Sequence, residues 1–431
     1  MRSAASWRTT GPSWRSLATA DDWSHADAEA YLASLEPIGW RLGLDRIRRL
    51  TSVMGMPQHR FASIHVVGTN GKSSVAEMTA ALLEAHGISA GAYLSPHIAR
   101  WSERIQLRGS EIGEADFAAA VQRTAQSVDA VDRSLEEGDA VTQFEAMTAA
   151  AFAALAGSGV EVGVIEAGLG GRLDATNVIP SRVCALTSIG LEHTEWLGET
   201  VEEIAAEKLA VLRDHSTLVV GVVEPEVERV ARRFAADRGA SLVRAAPGPR
   251  LEPEVAGPFQ RRNFAVALAA ARAMLGGLDV STVERVEAEL RLPGRLEIRQ
   301  GDPPTILDAA HNPDGARALA EALPELAGER PVIACVALLE GKDAEATIAA
   351  LGPAVAHAVC TQLPAERLTG SGRAGATSVA ASRLRELFTA AGVSAEAVAD
   401  PPSAVARARA VARERSGMAL CTGSHYLLSY G

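Results

Sequence analysis

HVVGTNGKSSVAEM, residues 65–78, reads as a phosphate loop set between a strand and a helix. SIHVVG (63–68) has the β-branched, apolar character of a buried strand, and SSVAEMTAALLEAHG (73–87) is a helix closed by Gly87. The full pattern G-x-x-x-x-G-K-[ST] places glycine at 65, where this chain has His65, but the core Gly71-Lys72-Ser73 is intact. In such a loop, backbone N–H groups and the helix N-terminus cradle phosphate oxygens, the lysine reaches the outer phosphates, and a hydroxyl meets magnesium. Thr69, Asn70, Gly71, Lys72, Ser73 and Ser74 are therefore the nucleotide-binding candidates, with Ser73 also a candidate metal ligand.

Strands and helices alternate outward from this loop, which implies mostly parallel sheets covered by helices. VEVGVIEAG (160–168), RVCALTSIG (182–190) and STLVVGVV (216–223) are expected as further buried strands, with helices at 201–213 and 261–275. A second round of strands and helices begins near LPGRLEIR (292–299) and closes on MALCTGSHYLL, expected as a short strand. The fold class is α/β. The expected division is an extension at 1–22 without fixed structure, a phosphate-loop domain at 23–289 containing the Pro/Gly-rich loop 245–258, and a smaller Rossmann-like domain at 290–431.

Composition narrows the partners. A net charge of −11 argues against a nucleic-acid-binding surface or one for acidic membranes, and no apolar run is long enough to span a bilayer. Cys184, Cys335, Cys360 and Cys421 lie in or beside apolar runs at spacings that fit no metal or disulfide framework, so buried thiols and a cytoplasmic location are expected.

Only three of the 42 Lys and Arg residues are lysines: Lys72, Lys208 and Lys342. A chain that places arginine almost everywhere keeps lysine where a compact ammonium or a free amine is needed. The four asparagines (Asn70, Asn177, Asn263 and Asn312) likewise fall in motif-like stretches. Glu166 ends a strand beside a glycine turn, where parallel sheets bind ligands, and a carboxylate there suits magnesium. His193 follows the next strand at the same expected sheet edge.

These stretches, with LGLDRI (42–47), MGMPQHRFASIHVVGTNGKSS, YLSPHIARWSERI, TQFE, EAGLGGRLDATN, SIGLEHTEWLG, EKLAV, QRRN, PGRLE, DAAHNP and TGSHYLL, resemble the folylpolyglutamate synthase/dihydrofolate synthase family of the Mur ligase superfamily. The motifs run in the family's order over nearly the whole chain.

The resemblance implies an ATP-dependent ligase that adds L-glutamate to dihydropteroate or reduced folates through an acyl phosphate, with two magnesium sites. It implies Ser95, Glu166 and His193 as metal ligands. It also implies that Lys208 is carbamylated, which would turn an ammonium into a metal-binding anion. Asn263, Arg295 and Asp308 match residues that hold ATP, the latter two from the second domain, and His311 matches a histidine implicated in activity. Leu42, Gly43 and Leu44 match one wall of the pteroate pocket; Thr142, Gln143, Phe144 and Glu145 match another, with Leu173, Asp174 and Ala175. Small-molecule substrates and a monomeric state are expected.

Three positions depart from the family pattern: Ser73, followed by Ser74, where glycine usually follows the lysine, Gln143 where an aromatic or apolar residue is common, and His425 where leucine is usual. A Mur-type ligase with a peptidoglycan-like acceptor is expected to carry a further N-terminal domain, and here LGLDRI already begins at residue 42. A nucleotide-binding protein that had lost ligation is expected to lack Lys208, Glu166 or His193, and all three are present.

Overall fold

The computed structural model describes residues 22–35, 43–245, 257–368 and 376–431. They fall into two compact units, one drawn from Met1–Ala246 and Ala265–Val286, the other from Pro247–Phe264 and Glu287–Gly431.

The first unit is built on β1 (Ala62–Val67), β2 (Ala90–Tyr93), β3 (Ile105–Leu107), β4 (Ser110–Glu111), β5 (Val162–Glu166), β6 (Val183–Leu186), β7 (Thr217–Val220) and β8 (Ser241–Arg244). The sheet order is β4-β3-β2-β5-β1-β6-β7-β8. All pairs are parallel except those of β3 with β2 and with β4, so the phosphate-loop strand β1 lies between β5 and β6. Its helices are α1 (His25–Ser34), α2 (Asp45–Val53), α3 (Lys72–Ala85), α4 (Glu114–Asp132), α5 (Gln143–Gly157), α6 (Thr194–Leu197), α7 (Val201–Leu209) and α8 (Pro225–Asp237). One apolar core includes Ile47 and Leu50 of α2, Phe117 of α4, Phe152 of α5, and Tyr93 and Ile165 from the sheet. A second packs α7 and α8 against Leu186, Leu218 and Val220.

The second unit carries β9 (Arg295–Arg299), β10 (Thr305–Asp308), β11 (Val332–Val336), β12 (His357–Cys360), β13 (Ala395–Ala397) and β14 (Met418–Thr422), in the order β13-β12-β11-β14-β10-β9. Only β9 runs antiparallel to its neighbour. The expected α/β class with mostly parallel sheets is what the chain adopts. The four cysteines are free and buried, and among the described residues no helix is long and apolar enough to cross a membrane.

Two details differ from the sequence reading. MALCTGSHYLL is strand only as far as Thr422: Gly423 turns the chain at φ 95°, and Ser424 caps a short helix, His425–Leu428, its Oγ accepting from the Tyr426 N–H at 3.3 Å. The described residues 257–264, which begin α9 (Pro258–Leu275), group with the second unit. Side-chain bonds account for this. Gln260 Nε2 donates to the Arg295 carbonyl at 3.2 Å, and Arg261 pairs with Glu325 at 2.7 Å.

His65 occupies the position where a full phosphate-loop pattern has glycine. It is a fully buried β1 residue whose Nε2 lies 2.8 Å from Thr176 Oγ1. The Thr176 hydroxyl donates to Asp174 Oδ1, so it accepts from His65 and the proton sits on Nε2. Among the described residues His65 Nδ1 has no partner. Burial, reinforced by Arg213, pushes the imidazole down to about 3. The unfolded chain takes up this proton near the ordinary histidine value of about 6.5, and the folded chain does not until about 3. Stability from this site is therefore complete above about 6.5 and declines below it, at up to about 1.4 kcal/mol per pH unit. Urea unfolding at a series of pH values should show this decline, and His65→Gln should flatten it; an unchanged slope in the variant would disprove the assignment.

Candidate nucleotide and ligase site

The loop Gly68–Ser73 leaves the carboxyl end of β1 and enters α3 with Gly71 as N-cap at φ 83° and no side-chain cap. The first N–H groups of a helix have no partner within it, and a terminus of this kind suits phosphate oxygens. Gly68 allows the loop to pass close to β6, since a Cβ there would strike the Thr187 hydroxyl. The loop is clamped from β6. Thr69 N donates to the Ser188 carbonyl at 2.8 Å, Asn70 N donates to Ser188 Oγ at 3.1 Å, and the Thr187 hydroxyl donates to the Asn70 carbonyl at 2.7 Å. Thr187 and Ser188 are site residues that the sequence reading did not single out. Their signal is two hydroxyls directly following a buried strand at the ligand edge of the sheet.

Lys72 Nζ donates to the Thr69 carbonyl at 3.0 Å, so its ammonium lies folded over the loop. Ser73 and Ser74 are both buried. The Ser73 hydroxyl donates to Glu166 Oε1 at 3.1 Å, and the Ser95 backbone N–H donates to Glu166 Oε2 at 2.9 Å. One buried carboxylate at the end of β5 thereby gathers Ser73 and Ser95. His193 follows β6 in a left-handed conformation, φ 52°, as the N-cap of α6, with Nε2 3.4 Å from Glu192 Oε1.

Lys208 sits on α7, only 5% exposed, and donates to the Gly68 carbonyl at 2.9 Å. Gly171 permits this approach: a Cβ there would lie 2.5 Å from the Lys208 carbonyl oxygen and 2.9 Å from that of Glu207. Burial, then the nearby Lys72 charge, pulls the Lys208 amine down to about 7. The oxygen-rich set of the Glu166 carboxylate and Ser73 hydroxyl suits magnesium, which takes one or two protein oxygens and keeps several waters. Among the described residues no group of three His, Cys, Asp or Glu side chains forms a cage.

The expected substrate-wall residues have structural duties of their own. Thr142 and Glu145 form a capping box at α5: Thr142 Oγ1 accepts from Glu145 N at 3.2 Å, and Glu145 Oε2 accepts from Thr142 N at 2.8 Å. Arg46 of α2 adds a bond to the same carboxylate at 3.0 Å. Gln143 Nε2 donates to the Leu32 carbonyl of α1 at 2.8 Å, which accounts for a polar residue in this buried wall. Phe144 lies against Gly168 of the turn after β5, where a Cβ would collide with its ring. Asp174 is buried and accepts from the N–H groups of Leu169, at 2.8 Å, and Thr176, at 3.0 Å, so it shapes that turn. Leu173 is half-buried, Ala175 is buried in the core, Gly43 and Leu44 lead into α2, and Leu42 lies outside the described residues.

The other candidates belong to the second unit. Asn263 Nδ2 donates to Gln260 Oε1 at 2.9 Å, and Gln260 in turn donates to the Arg295 carbonyl, so Asn263 and Arg295 are joined through one side chain. Asp308 is buried at the end of β10 and accepts from the N–H groups of Leu296 and Ala310, both at 2.9 Å. Burial raises its carboxyl above the ordinary range. His311 Nδ1 donates to the Ala309 carbonyl at 2.8 Å, and its ring centre lies 5.5 Å from that of His425.

Residues 66–244 match the Mur ligase middle domain and residues 294–425 the glutamate ligase domain of Mur ligases. The dihydrofolate synthase/folylpolyglutamate synthase of Mycobacterium tuberculosis is 34% identical over 74% of this chain and 74% of its own length. That of Bacillus subtilis is 28% identical over 94% and 98%. This chain belongs to the dihydrofolate synthase/folylpolyglutamate synthase family. Among solved structures, M. tuberculosis folylpolyglutamate synthase complexed with ADP and AMPPCP superposes with a TM-score of 0.84 at 29% identity, covering 94% of this chain and 98% of that one. E. coli FolC in complex with DHPP and ADP gives 0.81 at 28% identity, over 95% and 96%. A bifunctional folylpolyglutamate synthase/dihydrofolate synthase with Mn, AMPPNP and L-glutamate bound gives 0.79 at 30%, over 95% and 97%.

Gly171→Ala should drive α7 away from the turn after β5, because the new methyl meets backbone rather than a flexible side chain. The expected loss is roughly 1–3 kcal/mol in denaturant unfolding, together with weaker binding of an ATP analogue. Wild-type values of both would contradict the packing described.

Proposed function

We propose that this chain is an ATP-dependent carboxylate–amine ligase that adds L-glutamate to dihydropteroate, to reduced folates, or to both. The carrying observation is the convergence at one sheet edge of the glycine-capped α3 terminus, the Glu166–Ser73–Ser95 cluster and the buried amine of Lys208.

The substrate carboxylate attacks the γ-phosphorus of ATP, giving an acyl phosphate and ADP. The α-amine of glutamate then attacks the acyl carbon, the amide bond forms, and inorganic phosphate leaves with the bond electrons while the amine loses its proton. Phosphoryl transfer is mostly positioning and charge stabilisation. The N–H groups at the start of α3 would hold the phosphate chain, and Lys72 would swing from the Thr69 carbonyl to the outer phosphates. Magnesium, held by Ser73, Ser95, Glu166, His193 and a modified Lys208, would supply charge neutralisation there. In the second unit, Asn263, Arg295 and Asp308 would contact ATP, with His311 at the reacting end.

The Lys208 amine at about 7 supports carbamylation. Near neutral pH a large fraction is the free base, whose lone pair can add to carbon dioxide; the N–C bond forms, a proton leaves to solvent, and an anionic carbamate results. Arginine has no free amine available for this step. Buried thiols in the free state are in keeping with a cytoplasmic setting.

Phosphate release should require ATP, magnesium, glutamate and a pteroate or folate acceptor together; release with no dependence on any such acceptor would refute the ligase reading. Comparing dihydropteroate with tetrahydrofolate decides between the two acceptors. Lys208→Arg should abolish ligation, and 13C-bicarbonate should give a carbamate resonance in the wild type only. Near-normal turnover of the variant would rule out the carbamate.

A further inference from the structure

The first unit has a cavity of about 910 Å³ at the opposite edge of the sheet from the phosphate loop. Gln58 and His59 precede β1, Ser181 and Arg182 precede β6, and Arg213 to Ser216 precede β7, so this wall comes from the amino ends of three parallel strands. The six residues of β1 place it roughly 20 Å from the loop. Its volume is that of a small-molecule site.

Its charge is unlike that of the chain as a whole. Three guanidiniums, Arg48, Arg182 and Arg213, and two imidazoles line it, against the single carboxylate of Asp214. Asp214 is already paired with Arg238 at 3.0 Å. Among the described residues Arg213 bonds only to oxygens of loop 177–179: to the Ile179 carbonyl from Nε at 3.1 Å, and to the Asn177 carbonyl at 2.9 Å and side-chain oxygen at 2.8 Å from Nη2. It is held in place without a carboxylate partner. Burial lowers its affinity for protons, and the Arg238 and Arg48 charges add to that. Arg48 makes no ion pair with any described residue, and it shares a helical face with Thr51 and Ser52 of the same wall.

Two buried polar atoms in the wall lack partners. Gln58 is 4% exposed with Oε1 unsatisfied, and Ser181 is 3% exposed with Oγ unsatisfied. An amide oxygen calls for a ligand N–H or O–H, and a hydroxyl can donate to an oxyanion.

We propose that this cavity binds a small oxyanion ligand, a phosphate or an oligocarboxylate carrying an N–H or O–H donor, at Arg48, Arg213, Gln58 and Ser181. The inference concerns the opposite sheet edge and does not rest on the ligase reading. Loop 173–182 carries Leu173 to Ala175 at one end and supplies Asn177 to Arg182 to the cavity at the other.

The test is calorimetric titration of the full chain, saturated with AMPPNP and magnesium, first with inorganic phosphate and separately with γ-linked triglutamate. At least one probe should bind with 1:1 stoichiometry, and the stronger one identifies the source of the oxyanion. Added salt should weaken the binding. Arg48→Glu, at an exposed position, should weaken it about tenfold or more with the melting temperature and AMPPNP affinity unchanged. Ser181→Ala should also weaken it. Binding by neither probe, or binding unaltered in both variants, would overturn the proposal. If Arg48→Glu perturbs folding, Arg48→Ala serves in its place under the same two outcomes.

Discussion

The hydrogen bond from the Lys208 amine to the Gly68 carbonyl is the constraint around which the ligand edge of the first unit is arranged. It ties α7 to the start of the phosphate loop, and it forms only because the turn after β5 presents glycine to the backbone of α7. A charged ammonium at this depth is disfavoured by desolvation and by Lys72, while Asp174, Glu192 and Glu207 act in the opposite sense. The balance leaves an amine poised between its two protonation states. That balance is a property of burial, and an exposed helical lysine would lack it.

The walls around the expected acceptor pocket are held by their own internal bonds. Glu145 closes the capping box of α5 and anchors Arg46 of α2, while Gln143 reaches the backbone of α1. The helices that would bound a pterin are thereby locked to one another through side chains of the TQFE motif. Burial raises the Glu145 carboxyl, partly offset by the Thr142 N–H and the Arg46 guanidinium. A residue with these duties resists substitution whether or not it touches a substrate.

Much of this was legible in the sequence, and for definite reasons. The central strands are predominantly apolar runs, and β1, β5, β6 and β7 appear where such runs stand, because strands buried on both faces are mostly apolar, with His65 and Glu166 among the polar exceptions. Strand β2 is only four residues of Ala, Gly and Tyr, too short and too small in side chain to register. Its Gly91 is needed because a Cβ would lie 2.5 Å from Leu155 Cδ2 and 2.9 Å from the Gln106 carbonyl. Glu166 and Lys208 stood out through position and rarity. Thr187, Ser188 and Gln260 did not, since their roles depend on partners 117, 118 and 35 residues away in the chain. The basic cavity at the amino edge was invisible for the same reason: its arginines are spread along the sequence and converge only through the parallel order of the strands.

The clamp of Thr187 and Ser188 on the phosphate loop carries a thermodynamic consequence. The backbone of Thr69 and Asn70 is bonded to β6 within the folded chain itself. The conformational entropy of fixing that part of the loop is therefore surrendered when the sheet forms, leaving less of it to oppose nucleotide capture. What remains to be ordered is chiefly one long side chain, that of Lys72, released from its own loop. In this arrangement the quality of the proposed nucleotide site would be a property inherited from the register of two neighbouring strands.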